Sequence, residues 1–431
     1  MTDTAAPPLA ASEQLRVRRL RQHLVSRPLA DIAGTVRSQV GALQGRLDLP
    51  VGSSVAVGCS SRGIDNYAAV VGAVVAGLRD LGYAPFCFPA MGSHGSATAA
   101  GQEQVLARAG ITEESMGCPI RSSLEVVRLS ELSSGMPVAM DRYAYEADAF
   151  VVVNRVKPHT EFTDDFESGP MKMIAVGMGK EFGATTYHQY FMRDGYARTI
   201  EAVADGVRAA RPLLFGVGIA EDGYGRTSQV RVMPAARLLE DEAAMLRDVR
   251  AMVPRLPFDD VDVLVIDEMG KDISGSGLDT KVVGRLSMPL LGPDPDTPRV
   301  KRIVVCDLTE SSSGNADGVG IADFITERLY RKIDRKALYV NALAGSEPEH
   351  ARIPMVLPTD RSAVDAAIAT IGPTDPSSLR LLHIRNTRDL ATVEISEALV
   401  PECEGLADLT LEGEFTPLRF ERNDALVQVR L

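Results

Sequence analysis

The sequence contains no uncharged apolar run of the roughly 18 residues that a membrane-spanning helix needs, so no membrane partner is expected. Its first residues, MTDTAAPPLAASEQ, lack a basic stretch followed by an apolar one, and a chain that stays in the cytoplasm is the expectation. Positive charge is in deficit: 46 Lys and Arg stand against 58 Asp and Glu, for a formal charge of −12. That balance opposes phosphate-rich partners, and no nucleic acid is expected. Cysteine is sparse and unpaired in sequence, with Cys59, Cys87, Cys118, Cys306 and Cys403 scattered and no CxxC. A disulfide framework is therefore excluded, and most of these thiols read as small buried apolar side chains in a reducing compartment.

Several catalytic signatures are missing too. There is no HExxH and no GxSxG. The segment Gly177–Lys180 resembles the end of a phosphate loop, but Glu181 stands where Ser or Thr is required and Ile174 where the first glycine belongs. Gly216, Val217 and Gly218 begin like a dinucleotide fingerprint, but Glu221 takes the third glycine position.

What is present, over 431 residues, is an α/β rhythm that suits two domains. SSVAVGC, YAPFCFPA, AFVVVN and LLFGVGIA read as buried strands, with helices over Tyr67 to Leu81 and about 197 to 210. Asp65 or Asn66 is expected to cap the first helix, and Ser96 one that runs to Gly110. The stretch AMVPRLPFDD at 251 to 260 reads as a junction, after which VDVLVID restarts the apolar pattern. Further strands are expected near 262 to 267, 302 to 307, 338 to 342 and 379 to 384. The fold class expected is two α/β domains with mainly parallel sheets and an active-site cleft between them. Their spans are 1–255 and 256–431, with the last ~25 residues packing back on the N-terminal domain.

In parallel sheets, ligand groups gather just past the carboxyl ends of strands. Arg62 follows one such end and offers a planar fork for a carboxylate, or is a plain surface arginine. His94 lies in GSHGS, where glycine neighbours leave the imidazole open. His159 lies in VKPHTEF behind a proline, with Lys157 placed to hold the loop near anionic groups. Two imidazoles from separate strand ends suit a general acid and a general base on opposite faces of one substrate, the symmetry a racemase requires. Lys172, in SGPMKMIAVGMGK, has small and apolar neighbours that favour a neutral, nucleophilic amine, or it is a snorkelling lysine. His188 follows 16 residues later as a candidate metal ligand, although one imidazole does not define a metal site.

Taken together, Arg62, His94, His159, Lys172 and His188 resemble the nickel-dependent lactate racemase family in order and spacing, strongly over residues 55 to 195. The resemblance implies a nickel-pincer nucleotide (pyridinium-3,5-bisthiocarboxylic acid mononucleotide nickel) attached covalently at Lys172, with nickel held by His188 and Lys157 among the cofactor contacts. It implies His94 and His159 as the acid/base pair and Arg62 as the grip on a substrate carboxylate. Lys271 and Asp279, with Asp272 and Lys281, are weaker substrate-binding carry-overs from the loop around ISGSGLDTK. The implied reaction is racemisation or epimerisation of a 2-hydroxyacid by reversible hydride transfer to the cofactor. SSRGIDN and SGPMK depart from the lactate-specific pattern, which points to larger or more polar 2-hydroxyacids or sugar acids. Two other readings stay open: a hydrolase or lyase whose histidines bind zinc directly with Glu161 as base, and a non-catalytic carrier of the nickel nucleotide.

Overall fold

A computed structural model describes residues 11–61, 63–288 and 292–430. The chain is mixed α/β and divides into two compact units, Val25–Val253 and a second one made of Met1–Leu24 with Pro254–Leu431. This corrects the simple 1–255 and 256–431 partition. The strand Arg16–Gln22 pairs antiparallel with both Thr392–Ser396 and Leu409–Pro417, so this strand belongs to the C-terminal unit. Within the last ~25 residues, Leu418 and Leu426 are buried in the same cluster as Ala363 and Val364 of the C-terminal unit.

The Val25–Val253 unit is built on a five-stranded sheet in the order Ala84–Pro89, Ser54–Cys59, Ala149–Arg155, Leu213–Glu221, Thr227–Pro234. The first four strands are parallel and the last runs antiparallel at the edge. Valine-rich runs such as Val151–Val153 are buried on both faces, as parallel strands covered by helices must be. Thr227–Pro234, at the edge, buries only Thr227, Val230 and Met233. The helix Tyr67–Asp80 buries Val70, Val71, Val74, Val75 and Leu78 against this sheet.

The other unit carries an eight-stranded sheet. Met355–Leu357, Phe324–Thr326, Arg299–Leu308, Asp260–Met269 and Leu381–Ile384 are parallel, and Thr392–Ser396, Arg16–Gln22 and Leu409–Pro417 complete it antiparallel.

Three local expectations are corrected. The segment expected as a strand at 338 to 342 lies inside the helix Arg335–Gly345, because the Asp334 carboxylate accepts the Lys336 and Ala337 N–H groups and Leu338 and Ala342 fall four apart on one buried face. The helix Ala99–Arg108 starts at Thr98, whose hydroxyl accepts the Gly101 N–H at 3.0 Å, rather than at Ser96. Asn66 occupies the cap position before Tyr67 in a left-handed conformation, but its amide donates to Asp65 Oδ2, while Asp65 in turn accepts from the Thr227 N–H. All five cysteines are buried thiols. Among the described residues no helix is long and apolar enough to cross a membrane.

Candidate active site around Lys172 and two histidines

Near the end of the strand Ala149–Arg155, the Asn154 side-chain amide donates to the Gly169 carbonyl at 3.0 Å. Between them the chain makes a loop closed by mutual backbone hydrogen bonds of Lys157 and Ser168, 3.0 and 3.1 Å long. Lys157 thus fixes the neck of the loop through its backbone, and its side chain is partly exposed. His159 inside the loop is buried, at 7% exposure. Its backbone N–H donates to the Glu167 carboxylate, which pairs with Arg250. Ring Nδ1 of His159 accepts the Glu161 N–H at 3.1 Å, and Nε2 is in hydrogen-bond contact with Lys172 Nζ.

This pattern sets the protons. An Nδ1 that accepts a backbone N–H has its lone pair there, so the neutral ring carries hydrogen on Nε2. In that tautomer Nε2 faces Lys172 Nζ.

Lys172 is delivered by a short helical turn, Pro170–Lys172, that passes into a π-helical turn, Met173–Gly177. Proline at the first position needs no partner for a missing N–H. The next N–H, of Met171, donates to Glu242 Oε2 at 2.8 Å. Glu242 is completely buried beneath this turn, and a Cβ on Gly169 would stand 2.2 Å from its Oε1, so a side chain there would have to displace the carboxyl. Burial pushes the Glu242 carboxyl up to about 8, which keeps it protonated at neutral pH.

His188 lies on the helix Lys180–Asp194 and donates from Nδ1 to the Ala184 carbonyl. Burial lowers its pKa, and the neighbouring Lys172 acts in the same direction. The ring is therefore neutral, with hydrogen on Nδ1 and a lone pair on Nε2. An aromatic chain joins it to His159: His188 meets Phe191 edge-on at 5.0 Å, Phe191 stacks on Tyr196 at 4.3 Å, and Tyr196 lies 5.7 Å from His159. Tyr196 also donates to Glu161 Oε2 at 2.8 Å.

His94 is exposed on the loop after Ala84–Pro89. Gly92, Gly95, Ser96 and Ala97 all have positive φ, so the backbone turns tightly on either side of His94. It docks on the Lys172 segment through the Gly92 N–H, which donates to the Gly177 carbonyl at 3.0 Å. The buried Gln102 amide donates to the Gly92 and His94 carbonyls at 2.8 and 3.2 Å, and its oxygen accepts from Lys180 at 3.1 Å. Lys180 is itself buried in an ion pair with Asp141, 3.0 Å long. The lysine that imitated a phosphate loop in sequence is thus an anchor for the His94 loop.

The structure brings His159, Lys172 and His188 together and sets the His94 loop on the same segment. Arg62 lies outside the described residues. Lys271 and Asp279 belong to the other unit. There Lys271 pairs with Asp317 at 3.0 Å, while Asp279 caps a short helix by accepting the Lys281 N–H at 3.0 Å. Asp272 accepts from the Thr309 hydroxyl at 2.6 Å. Sequence reasoning missed Glu242, Gln102 and the Lys180–Asp141 pair.

No protein family and no curated protein matches the chain. Among solved structures, a Thermotoga maritima protein from a structural genomics programme is similar, with 14% identity over 83% of this chain and 94% of that one and a TM-score of 0.49. The lactate racemase apoprotein of Thermoanaerobacterium thermosaccharolyticum is also similar, with 13% identity, 83% and 95% coverage and a TM-score of 0.41.

Proposed function

We propose that this chain is an isomerase that racemises or epimerises a 2-hydroxyacid or sugar acid with a lysine-tethered nickel-pincer nucleotide. The observation that carries this reading is the contact of Lys172 with His159, beside a His188 whose ring is held neutral by burial. The donor set fits the group: Lys172 would take the covalent link as a neutral amine, and His188 Nε2 would hold nickel, a metal for which imidazole is a suitable ligand. When bound, that group supplies a hydride acceptor for the substrate carbon that bears the hydroxyl.

The chain's own residues supply the proton chemistry. His159, fixed by the Glu161 and Glu167 contacts, holds or releases a proton at Nε2. His94 provides the second imidazole from an exposed loop. Phe162, Tyr196 and Phe191 form one stacked wall beside His159 that limits water there. Because both ring nitrogens of His159 are engaged, a zinc hydrolase that uses it as a direct ligand would first have to break one of these bonds.

Loaded protein is tested against a panel of 2-hydroxyacids deuterated at carbon 2. Inversion with the label retained in the product is expected; loss of the label to solvent would mean simple proton abstraction and contradict the proposal.

A further inference from the structure

We infer that Asp317, Glu347 and His350 form a zinc-type divalent-metal site inside the C-terminal unit, independent of the Lys172 cluster. Asp317 precedes the short helix Val319–Ile321, past the end of the strand Arg299–Leu308, and Glu347 and His350 flank and enter the short helix Pro348–Ala351. The three are 1%, 3% and 0% exposed, a degree of burial that such groups reach only when tightly paired or bound to metal. One ligand atom from each lies within 4.8 Å of the others. A tetrahedral ion with bonds of about 2 Å holds its ligands ~3.3 Å apart, so closure needs side-chain shifts on the order of 1 Å.

Hydrogen bonding prepares two of the ligands. His350 Nε2 lies 3.2 Å from the Leu286 carbonyl, which can only accept, so Nε2 carries the hydrogen and Nδ1 of the neutral ring offers its lone pair. That nitrogen faces Glu347 Oε2 at 3.3 Å, and two lone pairs so placed need a cation or a proton between them. Asp317 gives Oδ2 to Lys271 at 3.0 Å, while its Oδ1, although buried, has no hydrogen-bond partner among the described residues. One nitrogen and two carboxylates suit zinc better than magnesium or calcium, which prefer all-oxygen sites.

The ion would staple the segment 347–351 to Asp317 and, through it, to the loop 270–277. That loop already interlocks with Asp317, because a Cβ on Gly277 would stand 2.2 Å from the Asp317 carbonyl oxygen. Lys271 is held by the same aspartate, so the metal fixes its position as well.

Full-length protein made without the cofactor and stripped with chelator is titrated with zinc by calorimetry, with metal content measured after dialysis. One zinc per chain is expected on Asp317, Glu347 and His350, with a raised Tm and with imidazole in the X-ray absorption spectrum. Asp317→Asn and Glu347→Gln should each weaken this binding at least tenfold and abolish the Tm shift, whereas His188→Ala should leave it unchanged. If one variant fails to fold, the other and the wild-type stoichiometry still decide. Absence of zinc binding in the wild type would overturn the inference and leave a protonated His350 paired with Glu347. Binding that survives both carboxylate changes, or that is lost only in His188→Ala, would overturn it too.

Discussion

Lys172 and His159 share one hydrogen bond, Nζ to Nε2, while the opposite nitrogen of the ring accepts the Glu161 N–H at 3.1 Å. This couples the residue proposed to carry the cofactor to a residue proposed to move the proton. Removal of a general acid or base typically costs 10² to 10⁴-fold in rate. His159→Ala and His94→Ala should each lower inversion by at least about 100-fold while nickel stays bound. Inversion kinetics with nickel analysis checks this. If neither substitution slows turnover, the two imidazoles are not the acid/base pair.

His188 gives a pH dependence of known sign. Its folded pKa lies below the usual histidine value because burial disfavours the charged ring. As pH falls below about 6.5 the unfolded chain takes up a proton that the native chain does not, so this contribution is present above that pH and lost as pH drops through the folded value. Urea unfolding of cofactor-free protein at pH 7.5 and 5.5 should show a larger loss for the wild type than for His188→Gln.

Glu242 predicts the opposite slope. Its carboxyl is raised from 4.5 to about 8 by complete burial, so between those values the native state holds a proton that the unfolded state releases. Stability from this group is complete at acid pH, declines as pH rises and is lost above about 8, by up to roughly 5 kcal/mol at ~1.4 kcal/mol per pH unit. Glu242→Gln keeps an acceptor for the Met171 N–H and should flatten the decline between pH 5 and 8. Chemical denaturation across that range measures it, and parallel slopes for the two proteins would contradict the assignment.

The buried Lys180–Asp141 pair is held against its own desolvation: burial pushes Asp141 up and Lys180 down. Lys180→Met strands the carboxylate and should cost about 3–5 kcal/mol. Adding Asp141→Asn, which preserves the acceptor for the Ala144 N–H, should restore much of it. Hydrogen exchange of the amides at 92–98 should quicken in the single variant, because Lys180 supports Gln102 and through it the His94 loop.

Much of the N-terminal sheet was legible because valine-rich runs with glycine and polar loops between them leave few alternatives to parallel strands. The loops with His94, His159 and Lys172 were legible for the same reason, since they follow strand ends. The pairing of Arg16–Gln22 with residues from 392 onward was not, because a short basic strand carries no signal of a partner nearly 400 residues away. At 338 to 342, the β-branched and aromatic look of LYVNA hid the cap at Asp334. Glu242 did leave a trace: it sits on the stripe Leu238, Glu242, Met245, Leu246, Val249, where a helix otherwise places apolar residues. Its neighbours Glu240 and Asp241 masked it as part of an acidic run. The tertiary partners of Lys180 had no local signature.

The measurement that tests the central claim most directly is intact mass with metal analysis on protein produced alongside the cofactor-making enzymes, followed by peptide mapping around Lys172. The account predicts a nucleotide-sized adduct on Lys172 and one nickel per chain, with nickel lost in His188→Ala. A bare Lys172 in protein that still inverts a 2-hydroxyacid would contradict it.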